Sequence, residues 1–213
     1  MKKLTYVLFI SVLLLTFNSC IGLSIDIQMN RDGSGRLTME YRISRMIENL
    51  GALDGNEKWP TIPVGRADWE RTIQRINGAK IVSFSSRERG QDTITNIVLE
   101  YDSEKTLLAI LDPSGKRSSI NDNRFEYIML DDSPVNYDAA LMEMAKNMFA
   151  DYNFSISFSA PGNSTLTITD AQGKPAAPPP KAQIVPAGRR VSMSIGIMEL
   201  LNIPNGLGVI FSH

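Results

Sequence analysis

Histidine and cysteine are nearly absent. The 213-residue chain holds one of each, His213 at its last position and Cys20 near its first. A serine–histidine or cysteine–histidine nucleophile pair would depend on a terminal residue, where chains usually fray. Zinc of the familiar kind needs several imidazoles and thiolates at close spacing, and these two residues cannot supply them. A lone cysteine also excludes an intramolecular disulfide. Charge of one sign is lacking too: 22 Lys and Arg stand against 23 Asp and Glu. No strong field for nucleic acid or an anionic surface follows from that balance. Phosphate-cradling glycine loops are missing as well. Gly33 and Gly35 lead from one strand into another with no helix N-terminus behind them, and Gly206-Leu207-Gly208 reads as an isolated turn. Asp32-Gly33-Ser34-Gly35 lacks the downstream carboxylates of a calcium loop. Asp131 and Asp132, beside Ser133 and Pro134, read as a solvated turn and not as an acid–base pair. The sequence therefore points away from an enzyme, a cofactor or metal, and a nucleic-acid partner.

What is present begins at the N-terminus. Lys2 and Lys3 form a positive segment, and Leu4 to Phe17 is an apolar run of the length of a secretory signal. Phe17-Asn18-Ser19 leads directly into Cys20. This order resembles the lipobox of bacterial lipoproteins, in which the thiol is acylated and the signal removed. Ser19 and Cys20 fit the strict pattern, whereas Phe17 and Asn18 replace its usual leucine and small residue. The resemblance implies a cleaved signal peptide over 1–19, a mature chain of 20–213, lipidation at Cys20, and an exported protein held on a bacterial membrane. Ile21, in place of an aspartate after the cysteine, leans toward the outer membrane or a periplasm-facing surface. Plain secretion with an incidental cysteine, or an uncleaved anchor, are the competing readings. A full span takes roughly 20 apolar residues, more than this run provides.

Beyond the signal the pattern is of strands joined by turns. Ile25, Ile27 and Met29 alternate with polar residues, as do Leu37, Met39, Tyr41 and Ile43, with turn chemistry at 31–35 between them. A short helix is predicted over Arg45 to Asn49, and another over 67–77 with Trp69, Ile73 and Ile76 on one face, ended by Gly78. A second hairpin runs through 80–86 and 93–101. Ser103 caps a helix bearing Leu107, Leu108 and Leu111. Further strands carry Phe125, Tyr127 and Met129; Tyr152, Phe154, Ile156 and Phe158; Leu166 and Ile168; Val191, Met193 and Ile195; and Leu207, Val209 and Phe211. A helical turn is predicted near 197–202. Residues 172–188 read as a proline-rich loop in which Pro175, Pro178, Pro179, Pro180 and Pro186 exclude helix and central strand. The expectation is one α+β domain over 20–213: a curved antiparallel sheet built from hairpins and covered on one face by about three amphipathic helices.

The third of those helices, Tyr137 to Ala150, carries Met142, Met144 and Met148, with Phe149 nearby. Methionine suits surfaces that accept apolar partners of variable shape, and it equally fills cores. Packed over the Phe154 and Phe158 strand, the helix would line a cleft for an acyl chain. The relaxed lipobox, a strand, Asp32-Gly33-Ser34-Gly35, a second strand, a helix, Gly78 and Ala79-Lys80-Ile81-Val82-Ser83-Phe84 together look like the LppM-like lipoprotein domain family. That resemblance covers roughly Ile21 to Tyr101 and implies a non-enzymatic α+β envelope protein that handles lipids or glycolipids. Two functions are therefore expected: binding of an apolar or amphiphilic envelope molecule, or structural docking of another envelope protein. A continuous apolar cavity under the methionine helix would favour the first, and a solid core with an exposed apolar patch the second.

Overall fold

The computed structural model describes residues 22–44, 65–90, 92–131 and 152–212. Among them the chain forms eleven strands and three short helices. In chain order these are β1 (Leu23–Met29), β2 (Gly35–Ser44), α1 (Arg66–Ile73), β3 (Ala79–Arg89), β4 (Asp92–Tyr101), α2 (Glu104–Leu111), β5 (Ser118–Asn121), β6 (Arg124–Leu130), β7 (Asn153–Ser159), β8 (Thr165–Thr169), β9 (Gln183–Ala187), β10 (Arg190–Gly196), α3 (Ile197–Leu201) and β11 (Leu207–Ser212). Seven strands form one sheet in the order β3-β4-β2-β1-β7-β10-β9, and four form another in the order β5-β6-β11-β8.

The alternation read from the sequence becomes rows of side chains across the larger sheet. Leu99, Leu37, Ile27, Phe158 and Val191 lie in register on one face, as do Ile97, Met39, Ile25, Ile156 and Met193. Most of these side chains are buried. Two-residue periodicity puts the polar neighbours on the opposite face: Thr38, Asp26, Ser157 and Ser192 form one such row. Among the described strands all pairs are antiparallel except β1 with β7, which run parallel.

Among the described residues, the second sheet packs on this apolar face. Phe158 of β7 stacks on Phe211 of β11 at 5.2 Å between ring centres and on Phe125 of β6 at 5.9 Å. The expected α+β fold, a sheet covered on one face by three helices, is overturned: this is a two-sheet sandwich. The physical reason is area. Helices of eight, eight and five residues cannot roof seven strands, and a second apolar sheet face can. The helices instead close the flanks. Trp69 of α1 is buried and donates from Nε1 to Tyr41 Oη at 2.9 Å, which fastens the helix beside β2. Burial raises the Tyr41 phenol above its ordinary range. Ser103 caps α2 by accepting from the Thr106 amide at 3.3 Å.

The helix predicted over 67–77 ends at Ile73 in α1, although Gly78 does adopt the left-handed backbone (φ +85°) on which its predicted role rests. Residues 172–188 are not all loop, because Gln183–Ala187 forms β9. Pro186 is tolerated there because β9 is the sheet's last strand, where a missing N–H costs no ladder bond. The predicted helices over 45–49 and 137–150 lie outside the described residues.

Candidate functional site

The proline-rich segment is held in place at several points. Asp170 Oδ1 accepts from the Gln172 and Lys174 amides, both at 2.9 Å, and the Asp170 amide donates to Lys174 O at 2.9 Å. Pro175 pairs with Thr169, and the Ala176 amide donates to Ile168 O at 2.9 Å, so the chain lies along the outer edge of β8. The Ala182 amide then donates to Pro179 O at 2.9 Å before the chain enters β9. Consecutive prolines fix φ and remove donors that would otherwise need partners. The segment therefore crosses from the edge of one sheet to the edge of the other as a rigid wall.

Facing it is a second wall made of α3 and the turn that follows. The Ile203 amide donates to Leu200 O at 3.2 Å, and Asn202 Nδ2 donates to Met198 O at 2.6 Å. Between the walls lies an open cleft of 950 Å³, lined among others by Pro175, Pro178, Pro179, Met198, Ile203 and Leu207. Lys181 on the proline side and Glu199 on the helix side join across it at 2.5 Å. The hydrogen bond from Lys181 holds the Glu199 carboxyl below its usual range, so this pair keeps one charge of each sign, and Asp170 adds a further acidic side chain to the lining. Apolar walls with a polar rim can receive an amphiphile, its tail against the prolines and its head among the charges.

Of the residues singled out in the sequence, Phe154 and Phe158 are buried in the core at 5% and 0% exposure, and they line neither this cleft nor the second one described below. Cys20, Met142, Met144, Met148 and Phe149 lie outside the described residues. The cleft itself was missed. Its prolines were visible as loop, but Met198 and Ile203 face them only because β10 carries the chain back beside β7.

A second cleft of 560 Å³ opens at the far end of the larger sheet, beside the β1–β2 turn. There Tyr101 donates from its hydroxyl to Gln28 O at 2.9 Å. Burial, with a smaller contribution from Glu104, holds that phenol far above its ordinary range, so it stays a donor. A Cβ at Gly35 would lie 2.0 Å from Gln28 O and 2.4 Å from Tyr101 Oη, so only glycine fits beneath this bond.

Among the described residues no helix is long and apolar enough to cross a membrane, and no cluster of three or more His, Cys, Asp or Glu could hold a metal ion. No family model and no curated protein matches the chain.

Proposed function

We propose that the protein is a non-enzymatic, lipid-anchored envelope protein whose sandwich binds an apolar or amphiphilic envelope molecule between the proline-rich wall and α3. The observation that carries this reading is the 950 Å³ cleft, preformed by backbone hydrogen bonds and proline geometry. A rigid site loses little conformational entropy when a ligand enters, so most of its apolar contact contributes to affinity. The anchor rests on the resemblance at Phe17 to Cys20, and acylation there would keep the domain beside the molecules it binds.

Photo-crosslinking with a diazirine-bearing fatty acid, on the full chain in phospholipid nanodiscs, tests the binding site. The expected adducts fall on residues 175–181 and 198–207 and are suppressed by excess unlabelled fatty acid. Met198→Glu should lower their yield about tenfold, because a carboxylate placed against the tail must lose its water. Unsaturable labelling, or adducts spread over other elements, would sink this reading.

Partner docking has an observation of its own. β5 has only four residues, β8 is covered by Pro175 and Ala176, and β9 carries Pro186. That leaves the eleven-residue β3 as the one long edge with which no described strand pairs, and Val82 at its bulge is 44% exposed. An added strand from another envelope protein would join there. Its mark would be protection of β3 amides from hydrogen exchange in the presence of that protein.

A further inference from the structure

The polar face of the larger sheet carries a second site with different chemistry. Lys80, Glu100, Arg36 and Gln28 stand in register across β3, β4, β2 and β1, on the face opposite the apolar rows. All four are exposed. They span three interstrand steps, about 14 Å at roughly 4.8 Å each. Asn30, in the β1–β2 turn, and Asp102, just past β4, also line the open 560 Å³ cleft over this row.

Two features decide what fits. First, the charges cancel: Arg36 and Lys80 stand against Glu100 and Asp102, so the cleft selects neither a polyanion nor a polycation. Second, the groups are already ordered. Arg36 Nη2 holds Glu100 Oε1 at 3.1 Å, Gln28 Nε2 donates to Asp26 Oδ2 at 3.0 Å, and Thr106 Oγ1 fixes Asp102 Oδ1 at 2.7 Å. Arg36 and Glu100 keep about half of their side-chain surface in water, so both retain capacity for a ligand. The row offers donors and acceptors in alternation and no large apolar side chain.

We propose that this row is a binding site for a linear, uncharged saccharide, whose hydroxyls both donate and accept at each step. The site is separate from the proline-walled cleft and does not depend on what that cleft binds. Titration calorimetry of the full chain in nanodiscs with fully N-acetylated, uncharged chitotetraose tests it. Saturable binding is expected, about tenfold weaker for N-acetylglucosamine alone because a monosaccharide reaches only part of the row. Arg36→Ala and Glu100→Ala should each weaken chitotetraose about tenfold, on the scale of one charge-assisted hydrogen bond. Both positions are solvated, so urea unfolding should show each variant folded. Four results would overturn the proposal: no heat with chitotetraose, equal affinity for monomer and tetramer, indifference to both substitutions, or binding only of dextran sulfate or polylysine.

Discussion

Asp112, at the end of α2, illustrates how much one buried carboxylate organises here. It is 6% exposed and accepts from the amides of Ser114 at 3.2 Å, Arg117 at 2.5 Å and Ser118 at 3.0 Å, and from the Ser114 hydroxyl. Burial pushes its pKa up, but the hydrogen bonds from Ser114, Arg117 and Ser118 outweigh burial, and the net shift is downward. A carboxyl whose folded pKa is depressed adds stability above the unfolded value, near 4, and that stability is lost as pH falls through the folded value. Asp112→Asn should therefore cost about 1–3 kcal/mol at pH 7, since a neutral amide cannot serve all these donors. Urea unfolding should show the gap to the parent narrowing toward pH 3, and a pH-independent gap would contradict the assignment. The same scale holds what the sequence hid. Asp112 has the composition of an ordinary helix-ending residue, and nothing local announces that the backbone wraps its carboxylate.

At the scale of elements, period-two alternation was a reliable guide. β1, β7 and β10 bury the residues whose spacing marked them, and β2 buries Leu37 and Tyr41 while Met39 and Ile43 are half-buried, because a half-buried strand must sort its side chains by face. β5 was missed: four residues, Ser118–Asn121, hold too short a run for alternation to register, and its hairpin turns through Asp122 at φ 52°. The proline segment reads as loop because its residues cannot donate, yet those residues make it stiff. Replacing Pro178 and Pro179 together by glycine should cost about 1–2 kcal/mol, mostly through a freer unfolded chain. Faster hydrogen exchange at Ala176 and Ala182 should accompany the loss, with the amides of β1 and β7 unchanged.

For the whole molecule, the missing information was sheet membership. Alternation reveals that a strand has an apolar face but not which surface will cover it, so helices were assigned a task that β6, β8 and β11 perform. The candidate cleft was illegible for a related reason, since its two walls meet only through the return of β10. One continuous core joins the sheets through Phe125, Phe158 and Phe211. Phe158→Ala should therefore lower stability by about 3–5 kcal/mol. Both sheets should still melt in a single transition by calorimetry, and two separated transitions would refute a shared core. The parallel pairing of β1 with β7 has a consequence in time. The first of the described strands sits in the middle of the larger sheet, and its parallel partner lies far along the chain: Asp26 and Ser157, 131 positions apart, are hydrogen-bonded neighbours. Contacts of such separation close slowly, because a long loop must be ordered before they form. A chain that emerges N-terminus first can extend the β1–β2 hairpin at once, but it cannot complete its central sheet until β7 arrives.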